Sequence, residues 1–250
     1  MEIILDLKKS LEENAAIYFE KAKKSRRKVI GAQDTVADAK KRLVKLEKKK
    51  PERKTIVRKK KQQWFEKFRW FYTSTGFLVV GGRDATSNEI VIKKHVDKDD
   101  LIFHTDMAGS PFFVLKTEGK EVDEQTLAEA ADATATFSRA WKLGLSSQKV
   151  FYVTKDQVTK EANSGEYLSK GSFMIRGKTT YITNSVNVCI GKKDAMIMAG
   201  PCASVKAYDP EAIELKQGDR KVSDIAKKLA KQFDSTVDDI IRMLPTGNYK

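Results

Sequence analysis

His104-Thr105-Asp106, followed at once by Gly109-Ser110, brings a base, a carboxylate and a hydroxyl together within seven residues. Such a set can work as a hydrolytic triad. Neighbours on an extended strand point to opposite faces, however, and nothing marks a strained nucleophile turn. The run is therefore read as a strand end that meets a partner or satisfies a local hydrogen bond, and the chain as a binding protein rather than an enzyme. The only histidines are His95 and His104, and the only cysteines Cys189 and Cys202. Without zinc-ligand spacing among them, no metal and no cofactor are expected. The cysteines read as reduced core residues, with a disulfide left open. Two other runs suit a phosphate. Gly81-Gly82-Arg83-Asp84 lacks the P-loop pattern and reads as a turn, with Arg83 either paired to Asp84 or reaching a phosphate. From Gly171 to Lys178, backbone amides, the Ser172 hydroxyl, Arg176 and Lys178 fall within eight residues, which suits a phosphate or a hairpin turn.

Charge points the same way. The net charge is +14, and residues 1–69 hold 23 Lys and Arg against 10 Asp and Glu, leaving 25 against 24 for residues 70–250. Clustered positive charge favours phosphate backbones or an anionic membrane surface. No apolar run approaches the roughly 20 residues that span a bilayer. The start, MEIILDLKKS, has no signal-peptide pattern, so the reading is cytoplasmic.

The elements that carry these residues fall into two parts, a basic arm over 1–69 and an α+β body over 70–250. From Leu11, small and apolar residues recur at alternating steps of four and three (Leu11, Ala15, Tyr18, Ala22, Val29, Ala32, Val36, Ala39, Leu43 and Leu46), and only Ser25 interrupts them. A 3.5-residue repeat is the mark of a coiled coil. Pro51 ends this helix, and Glu52 to about Phe68 is expected to return as a second helix in an antiparallel hairpin. Its tip gathers Lys48, Lys49, Lys50, Arg53 and Lys54, followed by Arg58, Lys59, Lys60 and Lys61. Six aromatics then follow between Trp64 and Tyr72. They are either a stacking platform for single-stranded nucleic acid or the anchor of the arm, and the anchor is favoured, with Trp70 or Tyr72 left to face outward.

In the body, strands are expected at 70–72, 76–80, 89–96, 101–104 and 112–116, joined as an antiparallel meander. Further strands are expected at 150–158, 173–176, 179–183, 186–190 and 195–199. Helices are expected at 126–143, 223–233 and 237–244, with Ser223 or Asp224 as an N-cap and Pro245-Thr246-Gly247 as the stop.

Several of these blocks resemble one family. Trp64 to Phe71, Gly82-Arg83-Asp84-Ala85, Asn88-Glu89, Asp100 to Asp106, Gly109, Asp156-Gln157-Val158, Gly165 to Leu168, Gly171 to Lys178, Met198 to Pro201 and Leu244 to Gly247 resemble the NFACT-R (DUF814) domain of the NEMF and fibronectin-binding-protein-A-like ribosome quality-control factors. Asn14-Ala15 and Tyr18-Phe19 are similar to the start of that family's coiled coil. A second family histidine is missing from Met107-Ala108-Gly109. The family's N-terminal parts are absent, as in a piece cut within the coiled coil or a naturally short member. The resemblance implies binding to an obstructed large ribosomal subunit through rRNA or tRNA backbone, and rescue of stalled ribosomes. The expected RNA contacts are the arm cations above with Arg69, Arg83, Lys93, Lys94, His104, Ser172, Arg176 and Lys178. The alternative is a protein–protein docking module whose coiled coil binds a ribosomal protein or quality-control partner, with self-association through the same seam also open. An enzyme acting on RNA or aminoacyl groups comes third.

Overall fold

The computed structural model describes residues 4–48, 63–162, 167–194 and 196–250. It divides into two compact units, Met1–Lys61 and Gln62–Lys250. In the first, helix α1 (Leu11–Lys48) runs for 38 residues, about 57 Å at 1.5 Å per residue. A reciprocal cap starts it: the Glu13 amide donates to Ser10 Oγ, and the Ser10 amide to the Glu13 carboxylate. Asn14 is buried and holds residues 6–10 against the helix, accepting from the Asp6 amide and donating to the Asp6 and Ser10 carbonyls. The Tyr18 hydroxyl ties down Ile4 in the same way. Beyond this strap the seam is bare. Leu11, Tyr18, Val29, Val36 and Leu43 are all exposed, as a coiled-coil stripe without a partner must be.

The expected second helix lies outside the described residues up to Gln62, and its end, residues 63–68, forms turns instead of helix. The reason is visible in the burial. Phe65, Phe68, Trp70 and Phe71 all sink into the core, and the turns at 64–68 close with the Glu66 and Phe68 amides donating to the Gln63 and Phe65 carbonyls.

The second unit is built on a six-stranded antiparallel sheet. Its strands are β1 (Arg69–Tyr72), β2 (Leu78–Gly81), β3 (Leu101–Thr105), β4 (Phe113–Lys116), β5 (Val150–Thr154) and, later in the chain, β8 (Thr180–Ile182). The order is β1-β2-β4-β3-β5-β8, so β2 pairs with β4 and the expected simple meander is corrected. The cause is that the stretch expected as a strand over 89–96 falls mostly in helix α2 (Ala85–Lys94), which carries the chain from β2 over to β3. Asp84 caps its amides and Ser87 closes the box, while Asn88, Val91 and Ile92 share one buried face at helical spacing. Consecutive residues of β2 and β4 are buried, including Val79, Val80, Phe113, Val114 and Leu115, so both faces of the sheet are covered.

One cover is α3 (Glu124–Thr136), whose alanines lie flat against β3, β4 and β5. The helix expected over 126–143 is two. Ser138 breaks it by donating to the Ala135 carbonyl and accepting from the Ala140 amide, starting α4 (Arg139–Leu143). A small ladder of β6 (Val158–Thr159) and β7 (Met174–Ile175) follows. Beyond β8, β9 (Val188–Lys193) and β10 (Met196–Gly200) form a hairpin that leads into α5 (Cys202–Tyr208), and β11 (Ile213–Leu215) pairs on the other side of β9. The register sets Cys189 opposite Gly200, two residues before Cys202. The two sulfurs are bonded, with Cα atoms 4.7 Å apart, which corrects the expectation of reduced thiols. The chain ends in β12 (Gln217–Lys221), α6 (Val222–Phe233), α7 (Val237–Met243) and β13 (Asn248–Tyr249). Lys221, and neither Ser223 nor Asp224, is the α6 N-cap, while Pro245-Thr246-Gly247 follows directly on the end of α7 and leads into β13. Among the described residues no helix is long and apolar enough to cross a membrane.

Glu129 of α3 ties these layers together. Its buried carboxylate accepts from the Ser74 amide and hydroxyl in the β1–β2 turn, from Ser204 on α5 and from Gln125. Glu129→Ala strands those donors and should cost about 3 kcal/mol. Urea unfolding checks this, and a loss under about 1 kcal/mol would show that water replaces the carboxylate.

Candidate nucleic-acid interface

Two arginines stand at the open end of the β1–β2 hairpin. Antiparallel register sets Arg69 against Gly81, so Arg83 follows close beside it. The Arg69 guanidinium donates to the Gly82 carbonyl at 2.8 Å and lies 5.0 Å from the Phe137 ring centroid. Arg83 donates from Nη2 to the carbonyls of Glu66 and Phe68, at 2.9 and 2.8 Å. Neither is held by a carboxylate among the described residues, so the open question over Arg83 resolves against a pair with Asp84. The Nε atom of each is buried and has no hydrogen-bond partner. Burial, and then the neighbouring Arg83 charge, pull the Arg69 pKa down to about 10. Burial lowers Arg83 as well, helped by Arg242. Both still carry full charge at neutral pH.

These arginines floor a cleft of about 670 Å³. Its one carboxylate among the described residues, Asp84, is already engaged by the Ser87 amide at 2.8 Å, a bond that keeps it ionised to lower pH than usual. One wall is His104, half-buried, with its ring stacked on Phe112 at 4.0 Å between centroids and Nδ1 3.2 Å from the Pro111 carbonyl. Phe112 in turn meets the edge of Phe173. Burial holds the His104 pKa below the ordinary histidine value, against smaller opposing effects from the Pro111 carbonyl and Asp106. The opposite rim carries Arg139 and Lys142 on α4 and Lys170 in the loop before Gly171, all exposed and outside any ion pair among the described residues. That loop reaches the cleft because Gly171, at φ +79°, packs on Ala85, where a Cβ would fall 2.5 Å from the Ala85 Cα.

Of the expected contacts, the fold gathers Arg69, Arg83, His104 and Ser172 around this cleft. It leaves others aside. Lys93 pairs with Glu89 at 2.6 Å, and Lys94 is exposed on α2. Arg176 and Lys178 flank a bend at Gly177, and their own carbonyls accept from Gln157 Nε2, so that part of the Gly171–Lys178 run is local backbone bonding. Lys48 ends α1, and Lys49, Lys50, Arg53, Lys54, Arg58, Lys59, Lys60 and Lys61 lie outside the described residues. Sequence reasoning missed Arg139, Lys142 and Lys170. It also passed over Lys21, Lys23, Lys24, Arg26, Arg27 and Lys28, an acid-free exposed run in α1. A charge count by window along the chain would have found the α1 run.

The aromatic stretch is an anchor within the second unit. Phe65, Phe68, Trp70 and Phe71 are 5%, 3%, 6% and 1% exposed. Trp64 is the outward ring, 39% exposed and stacked on His95 at 4.3 Å, where Trp70 or Tyr72 had been expected. No cluster of three or more potential metal ligands occurs among the described residues.

Residues 67–177 match the family described as NFACT protein RNA binding domain. The archaeal Rqc2 homolog aRqcH of Methanocaldococcus jannaschii is 42% identical over 76% of this chain and 29% of its own length. The human ribosome quality control complex subunit NEMF is 34% identical over 80% of this chain and 18% of its own. The chain thus spans under a third of either relative. The C-terminal structure of the fibronectin/fibrinogen-binding protein from Streptococcus suis aligns at a TM-score of 0.40 and 18% identity, over 70% of this chain and 77% of that one.

Because its pKa is lowered, neutral His104 contributes stability that is fully present above the unfolded value of about 6.5 and is lost as pH falls through the folded value. Urea titrations at about pH 7.5 and about pH 5.5 should show a larger loss for the parent chain than for His104→Gln. Equal losses would mean that the ring is not kept neutral by burial.

Proposed function

The chain belongs to the NFACT family, with that family's RNA-binding domain over residues 67–177, and from this premise we propose that it is the RNA-binding module of a ribosome-associated quality-control factor. It works by binding alone, in the cytoplasm, on the RNA of an obstructed large ribosomal subunit. The observation that carries this reading is the unbalanced charge of the cleft, among the described residues five Arg and Lys side chains against one carboxylate committed to a helix cap. The exposed α1 run adds six more cations, of which only Lys23 approaches an acid among the described residues, Glu20 at 3.9 Å. Cations without counter-ions on rigid elements suit an rRNA or tRNA backbone, where phosphate contacts give affinity with little sequence preference.

A second reading rests on the bare seam of α1. Val29, Val36 and Leu43 are each more than half exposed, and a ribosomal protein, a quality-control partner or a second copy of the chain could pack along this seam.

Binding to purified large subunits across salt separates the two. If about six phosphates are neutralised, affinity should fall roughly a thousandfold between 50 and 200 mM salt. Changing Lys21, Lys23, Lys24, Arg26, Arg27 and Lys28 to Gln should flatten that dependence, and the Lys and Arg residues of 48–61 should behave alike. Subunit binding that ignores both salt and these changes would sink the RNA reading and leave docking through the seam.

A further inference from the structure

Backbone phosphate contact, the basis of the reading above, accounts for exposed lysines on a helix. It does not account for the cleft, which is a built enclosure. Its floor is fixed, because Arg69 and Arg83 are each clamped by main-chain carbonyls and cannot swing out to meet a passing strand. Both floor arginines keep a buried Nε–H with nothing to donate to. A guanidinium has five N–H donors, and a buried donor left unmet is costly. Those two N–H groups are closed to a ligand as the side chains stand, so it is the two adjacent positive charges that call for one acceptor of high charge.

The rim has the opposite character. Arg139, Lys142 and Lys170 are exposed on long side chains, free of ion pairs among the described residues, and placed to fold over whatever the floor holds. Asp84 offsets one of the five positive charges, so the site is matched poorly by a phosphodiester, which carries a single negative charge. A phosphomonoester carries about −1.5 to −2 at neutral pH and offers three strong acceptor oxygens. Only the end of a strand presents one. A cleft of about 670 Å³ is within the usual range for a small-molecule site, roughly 300–1,000 Å³. The His104 and Phe173 rings beside the floor, both half-buried, give a terminal base or ribose a surface to lie against.

We propose that this cleft receives the phosphorylated end of an RNA strand, with the terminal phosphate on the Arg69–Arg83 floor and Arg139, Lys142 and Lys170 closing over it. The proposal rests on the RNA-binding reading and sharpens it, from any phosphate of the backbone to a terminal one. A 5′-phosphate and a 3′-phosphate share this chemistry.

Fluorescence anisotropy with the full chain tests it, using one short RNA sequence prepared with a 5′-phosphate, with a 3′-phosphate and with hydroxyls at both ends. At least one phosphorylated form should bind roughly tenfold tighter than the hydroxyl-ended strand, the worth of one charge-assisted contact. Which form it is tells the two sources apart. In Arg139→Ala/Lys142→Ala that ratio should fall to about one. Both side chains are exposed, so the variant should melt at the parent temperature, which a thermal scan confirms. Equal affinity for all three strands, or a preference that survives the double change, overturns the inference while leaving RNA binding standing. Failure to bind any of the strands at low salt overturns both readings together.

Discussion

Two partly buried guanidinium groups, hydrogen-bonded among the described residues to main-chain carbonyls alone, are the constraint on which the site depends. Taking an ion even partly out of water is costly. The usual offset is a carboxylate, and none among the described residues forms an ion pair with either arginine. What keeps Arg69 and Arg83 inside is the backbone: the Gly82, Glu66 and Phe68 carbonyls sit where the hairpin register puts them. The same register brings Phe137 under Arg69, which adds a cation–π contact worth on the order of 1 kcal/mol. Local geometry and charge therefore depend on one another. A slip of β1 against β2 would remove the acceptors and leave the cations with nothing.

The near-neutral charge of residues 70–250 conceals this arrangement. Acids in this unit are drawn into structural work. Asp84 and Asp123 cap helices, Glu129 joins three elements, Asp100 is buried against Lys116, and Asp132 binds Ser185 and Asn187. Arg139, Lys142 and Lys170 of the cleft have no such employment among the described residues. Part of the negative charge is thus committed to local structure, while positive charge lines a concave surface. Electrostatic recognition follows the second distribution and not the sum.

Most strands were legible because aromatic and β-branched residues alternate in short runs between turn residues. The failures have particular causes. Ile90-Val91-Ile92 looks like strand, and only the Asp84–Ser87 capping box reveals α2. Ser138 divides one helical pattern because its hydroxyl competes for backbone bonds. Cys189 and Cys202 meet through a hairpin register, which spacing along the chain does not disclose. The cleft was legible only in part. Arg83, His104 and Ser172 stood in recognisable runs, while Arg139, Lys142 and Lys170 belong to no motif and become neighbours only when six separate segments meet.

The two units carry positive charge in physically different forms, and this bears on what each can contribute. On α1 the cations are solvated and mobile, so their attraction to phosphate is long-ranged, tolerant of sequence and screened by salt. Such contacts raise encounter rate and total affinity but hardly discriminate between ligands. In the cleft the floor charges are desolvated and immobile, and partial burial makes them respond to the number and placement of negative oxygens. Discrimination has to come from there. On the proposed reading, finding one feature on a very large, uniformly charged RNA surface takes both forms, because mobile charge alone would bind everywhere and a buried pocket alone would be reached too seldom.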